Sequence, residues 1–97
     1  MKHIPYIWWL IQDPEEAIRN LISDVAKMDL PKRTENGLVF KLENAIQSMD
    51  KREYVVSVDQ LNSFISQVEA SLGKKLTEKQ ADDLFAAAEL IINSIYA

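Results

Sequence analysis

Apolar positions recur at three- and four-residue spacing in four stretches of this chain, and short polar connections separate them. No long stretch alternates apolar and polar residues, so the periodicity is that of helices packed on a common core. The best-defined passage runs from Val55 to Leu84: an amphipathic helix, a glycine stop at Gly73, a short basic turn, and the start of another helix.

The first helix is announced by Asp13 as N-cap and Pro14 at the first helical position, with Glu15 and Glu16 in the positive first turn. Ala17, Ile18, Leu21, Ile22 and Val25 form its buried stripe, Glu15 and Arg19 pair at i,i+4, and Asp29-Leu30-Pro31 ends it. A second helix is expected from Thr34, as N-cap, to about Asp50. Its stripe is Leu38, Leu42, Ala45, Ile46 and Met49, with Val39 and Phe40 at the margins. Gly37 in its first turns costs up to about 1 kcal/mol against alanine, and marks either close approach of another backbone or a frayed helix start.

The third helix opens at Glu53-Tyr54 and carries Val55, Val58, Leu61, Phe64, Ile65, Val68 and Leu72. Its other face is polar yet nearly uncharged, with Ser57, Gln60, Asn62, Ser63, Ser66, Gln67 and Ser71. Two readings follow: margins half-buried between neighbours, or a binding face at Gln60, Ser63 and Gln67 where charges would cost desolvation. Gly73 stands where a left-handed C-cap belongs, and Thr77-Glu78-Lys79-Gln80 is a capping box for the fourth helix. That helix continues through Ala81, Leu84, Phe85, Ala88, Ile91, Ile92 and Ile95. The expected fold is all-α, an antiparallel up-down-up-down four-helix bundle over 13–97, preceded by an apolar aromatic tail or linker over 1–12.

Composition narrows the function classes. Ninety-seven residues suit one domain. A net charge of −4 argues against nucleic-acid binding. Cysteine is absent, which removes disulfides and thiolate metal sites. The apolar run Ile4–Ile11 is too short to span a bilayer, and the acidic residues after it do not resemble a signal-peptide cleavage site. Tyr6, Trp8 and Trp9 in this run suit packing against the domain, stacking on a sugar ring, or anchoring an interface. Ile7, Trp8 and Leu10 also offer a surface through which two chains would pair as a homodimer.

Reactive chemistry is sparse. The single histidine, His3, has no positioned partner, and no nucleophile elbow or phosphate-binding glycine loop occurs. Asp82 and Asp83 are adjacent and diverge on a helix, and Asp24, Asp50 and Asp59 lack calcium-loop spacing. No catalytic residue, metal or cofactor is expected. Six of the eleven cationic residues form pairs at the junctions, Lys32-Arg33, Lys51-Arg52 and Lys74-Lys75. They read as complements to helix C-termini, or, for Lys32, Arg33, Lys74 and Lys75 at one end of the bundle, as a basic cap for an acidic polymer or partner.

From about Ile18 to Ile95 the chain resembles the small helical domain called FIMAH, found near the C-terminal ends of secreted multidomain bacterial and archaeal proteins. The resemblance rests on four blocks in order: Leu21-Ile22 with Val25; Leu38 through Leu42-Glu43-Asn44-Ala45; Leu61-Asn62, Phe64-Ile65 and Val68-Glu69-Ala70 before Gly73-Lys74; and Leu76-Thr77 with Gln80-Ala81 and Leu84. The third block is the most specific. The resemblance implies a non-catalytic accessory or interaction domain of a larger extracellular or cell-surface protein, which binds a protein partner or supports an adjacent domain. The alternative is a carbohydrate-binding module on a polysaccharide-active enzyme, using Tyr6, Trp8 and Trp9 with Gln60 and Gln67.

Overall fold

Four helices account for nearly all of residues 14–96, the part of the chain that the computed structural model describes. They are α1 (Pro14–Lys27), α2 (Lys32–Asp50), α3 (Tyr54–Ser71) and α4 (Glu78–Tyr96). The expected N-cap Asp13 and the aromatic tail lie outside the described residues. Each helix packs on its neighbours in sequence, and α1 also packs on α4, so the four form a closed ring around one core. Ser57 near the start of α3 meets Ala45 in the second half of α2, while Gln67 near the end of α3 lies over Gly37 near the start of α2. These two helices therefore run antiparallel. One hollow is lined by Pro14, Met49, Tyr54 and Ile95, which belong to the start of α1, the end of α2, the start of α3 and the end of α4. Such alternation of starts and ends is compatible with an up-down-up-down bundle.

The core holds Ile18, Leu21 and Val25 of α1, Leu38, Leu42 and Ala45 of α2, Leu61, Phe64 and Val68 of α3, and Ala81, Leu84, Ala88 and Ile91 of α4. Two residues from the connections, Leu30 and Leu76, close it at one end. Along α3 the structure corrects the sequence reading. Val55 is 70% exposed, whereas Ser57, assigned to the polar face, is fully buried. The cause is angular. Val55, Val58, Leu61 and Phe64 are spaced by three, and at about 100° per residue each step falls short of a full turn, so Val55 ends about 180° from Phe64. Ser57, Leu61, Phe64 and Val68 follow 4-3-4 spacing and stay on the core line. The Ser57 hydroxyl is satisfied there by the carbonyl oxygens of Ala45 at 3.1 Å and Glu53 at 3.2 Å. Among the described residues no buried side-chain nitrogen or oxygen lacks a hydrogen-bond partner.

The helix ends show a second correction. α2 starts at Lys32, with Pro31 as its N-cap and no side-chain cap, so Thr34 is already inside the helix. Pro31 has φ −53° and ψ 142°, and its carbonyl accepts the Glu35 N–H at 2.9 Å. The helix thus begins directly after the proline, whose fixed φ suits a helix boundary. Lys32 and Arg33 consequently occupy the first turn of α2, the wrong end of the macrodipole for cations.

Three left-handed residues stop the helices: Asp29 (φ 58°), Arg52 (φ 63°) and Gly73 (φ 80°). At the end of α2 the Glu53 N–H reaches Ser48 O at 2.8 Å and the Arg52 N–H reaches Met49 O at 2.9 Å, a Schellman-type closure built on a non-glycine residue. At the end of α3 the residue before Gly73, Leu72, is extended and 40% exposed, not part of the stripe. The N–H groups of Lys74, Lys75 and Leu76 converge on Ser71 O, and the Gly73 N–H donates to Leu76 O at 2.9 Å. This turn swings Leu76 into the core. The capping box forms as expected: the Gln80 N–H donates to Thr77 Oγ1 at 3.1 Å, and the Thr77 N–H donates to Gln80 Oε1 at 3.0 Å.

Candidate functional site

Neighbours on either side of α3 divide its polar residues into two flanks. Gln60, Ser63 and Gln67 lie on the flank toward α2, as the position of Gln67 over Gly37 shows. Ser63 is exposed, whereas Gln60 and Gln67 are half-buried. A methyl group at Gly37 would collide with the Gln67 amide nitrogen, so the missing side chain makes room for that amide. The close approach expected at Gly37 is therefore real, but a side chain makes it and not a backbone. Gln67 is at least partly engaged in helix packing. Tyr6, Trp8 and Trp9 lie outside the described residues.

The opposite flank of α3 forms a groove with α4. Asn62 and Ile65 on one helix and Glu89, Ile92 and Asn93 on the other line a shallow, open depression of about 450 Å³. Helical spacing places these residues: Asn62 and Ile65 are i,i+3, while Glu89, Ile92 and Asn93 are i, i+3 and i+4, so each set shares one side of its helix. Ile65 and Ile92 are half-buried and pack on the core, whereas Asn62, Glu89 and Asn93 are exposed. The groove thus has an apolar floor and a rim of two amides and a carboxylate. The amides each offer donors and acceptors, and the carboxylate accepts. Such a rim matches the N–H and C=O groups of an extended peptide, or the hydroxyls of a sugar.

Of these five residues only Asn62 stood among the polar positions of α3 read from the sequence. Ile65 and Ile92 were assigned to the core, and Glu89 and Asn93 were not singled out. A signal was present: Asn93 interrupts the run Leu90-Ile91-Ile92, one helical turn after Glu89.

A smaller groove between α1 and α4, about 180 Å³, is lined mainly by apolar side chains, including Leu21, Leu90 and Ile91. The ion pairs Arg19–Glu15 at 2.7 Å and Lys79–Asp83 at 3.3 Å are i,i+4 pairs on exposed surface. Among the described residues no group of three or more His, Cys, Asp or Glu side chains could hold a metal ion, and no helix is long and apolar enough to cross a membrane.

No protein-family model matches this chain, and neither a curated protein nor a solved structure matches it.

Proposed function

We propose that this chain is a non-catalytic accessory or interaction domain of a larger extracellular protein, and that it holds a protein partner or an adjacent domain through the α3/α4 groove. The observation that carries the reading is the make-up of that groove. An apolar floor of Ile65 and Ile92 supplies area to remove from water, and Asn62, Asn93 and Glu89 around it supply orientation. The extracellular setting and the accessory role draw support from the FIMAH-like blocks, of which the third contributes Asn62 and Ile65 to the groove.

The test is an amide-resolved NMR titration of the full chain with peptides selected against it from a randomised display library, alongside a panel of plant and bacterial polysaccharides. Shifts concentrated at Asn62, Ile65, Glu89, Ile92 and Asn93 on adding peptide, abolished by Asn62→Ala with Asn93→Ala, are the expected result. Peptides that bind elsewhere, or selection that yields none, would remove the groove as a partner site. Saturable shifts with a polysaccharide and none with peptide would replace this reading by the carbohydrate-binding one.

A further inference from the structure

Between Phe40 and the Gly73 turn, the face shared by α2 and α3 carries cations and no carboxylate. Gln67 lies against Gly37, which fixes the register of the two helices. Arg33 is one turn before Gly37, and Phe40 and Lys41 are one turn after it, so all three share the Gly37 side of α2. On α3, Ser63 and Ser71 lie one turn either way from Gln67. The Gly73 turn folds onto this corner, since the N–H groups of Lys74 and Lys75 donate to Ser71 O at 3.0 Å and 2.9 Å. Glu35 and Glu69 are two residues from Gly37 and Gln67, hence about 200° round their helices and off this face. Glu43 and Asp59, one turn beyond Phe40 and Ser63, bound it toward the other end of the bundle.

Arg33, Lys74 and Lys75 are exposed, and Lys41 is half-buried. Among the described residues no ion pair engages any of the four: the pairs Arg19–Glu15 and Lys79–Asp83 belong to α1 and α4. Phe40 stands beside them, 60% exposed. A lone exposed aromatic is ordinary on a protein surface, but here it adjoins unpaired cations on a chain whose net charge is −4. Salt confines the reach of each exposed charge to about 8 Å at physiological ionic strength, so carboxylates on the other faces do little to offset this patch.

We propose that this face docks an acidic segment of a partner polypeptide, with carboxylates on Arg33, Lys74 and Lys75 and an apolar side chain on Phe40. The guanidinium fork pairs with a carboxylate through two N–H bonds, and the lysines add mobile donors. Phe40 has no polar tip with which to bond sugar hydroxyls, which favours a peptide side chain over an acidic polysaccharide. Arg33 and Phe40 are seven residues apart, about 10 Å along the helix. An extended peptide covers that distance in about three residues. The segment therefore carries its apolar residue about three positions from its carboxylates. This face is on the opposite flank of α3 from the α3/α4 groove, and the inference does not rest on the function proposed there.

The test titrates the full chain, by fluorescence anisotropy, with a short labelled peptide built to that spacing: a leucine about three residues from two adjacent glutamates. The controls are a peptide of the same composition with the leucine directly beside the glutamates, poly-glutamate, and polygalacturonate. The expected result is saturable binding, weakened by added salt and tighter than for any control. Lys74→Gln combined with Lys75→Gln should weaken it roughly tenfold. Phe40→Ala should weaken it about fivefold and leave poly-glutamate unaffected. All three side chains are exposed, so the far-UV circular dichroism of both variants should match the wild type. No binding of the designed peptide would overturn the proposal, as would equal binding of the rearranged peptide or of poly-glutamate. Tighter binding of polygalacturonate would overturn it in favour of an acidic sugar. Amide shifts at Asn62 and Asn93 in place of Arg33, Phe40 and Lys74 would overturn it and leave the α3/α4 groove reading standing.

Discussion

The Ser57 hydroxyl donates to the Ala45 carbonyl oxygen across 3.1 Å, tying the start of α3 to the second half of α2 at the edge of the hydrocarbon core, where Ser48 is the other buried polar residue among those described. It also reaches Glu53 O, one turn back in its own chain, so the buried oxygen has two acceptors within range for its single proton. Ser57→Ala should therefore cost about 1 kcal/mol, the net worth of one buried neutral hydrogen bond, and no more, because both carbonyls keep other partners or water. Urea unfolding should show a lower midpoint with an unchanged slope.

Gly37 and Gln67 form a coupled pair. Alanine at position 37 gains about 1 kcal/mol of helix propensity, yet its methyl group needs the Gln67 amide to move. The obstacle is the far end of a flexible side chain, so it can turn away at modest cost. Gly37→Ala alone should stabilise the bundle by less than the full propensity gain, and in a Gln67→Ala background it should recover all of it. A double-mutant cycle measured by urea unfolding should give a coupling of about 0.5 kcal/mol.

Arg52 and Gly73 hold the same left-handed backbone at φ 63° and 80°, and opposite substitutions there should have opposite signs. Arg52→Gly relieves a side chain from a conformation that costs L-residues about 1 kcal/mol, and thermal melts should show a higher Tm. Gly73→Ala imposes the same cost. Nothing lies within 4 Å of the added methyl group, so the loss would come from the backbone alone. Gly73→Asn should lose less, since asparagine tolerates this region.

Thr77→Ala should cost about 1 kcal/mol by removing the acceptor for the Gln80 N–H, and Thr77→Ser should retain most of the stability. Gln80→Ala should have the smaller effect, since the Thr77 N–H that it leaves is exposed to water. Thermal denaturation of the three variants ranks them.

Leu72 and Leu76 lie four residues apart and look alike in sequence, but Leu76 is 3% exposed. Leu76→Ala should cost 2 kcal/mol or more, roughly the cost of a core leucine truncation. Leu72→Ala should cost under about 1 kcal/mol. Equal losses would show that the Gly73 turn does not direct Leu76 into the core.

The sequence by itself determined four helices, their approximate limits, most of the core, the Gly73 stop and the Thr77–Gln80 capping box. Those features depend on neighbours within one or two turns, where spacing and capping chemistry act without help from the rest of the fold. It also named the pair Glu15–Arg19 for the same reason. What it could not decide was set by contacts between helices. By polarity Ser57 belongs on the solvent face, but the helix angle carries it inward, where the carbonyl oxygens of Ala45 and Glu53 receive its hydroxyl. Val55 went to the core because a run of threes looks like a stripe until its angular drift is followed round the helix. The α3/α4 groove was legible only in part, since Glu89 and Asn93 acquire meaning from the arrival of Asn62 and Ile65 beside them. Gly37 invited a guess about crowding, but only the packing of α2 on α3 shows that the Gln67 amide fills the space its missing side chain leaves.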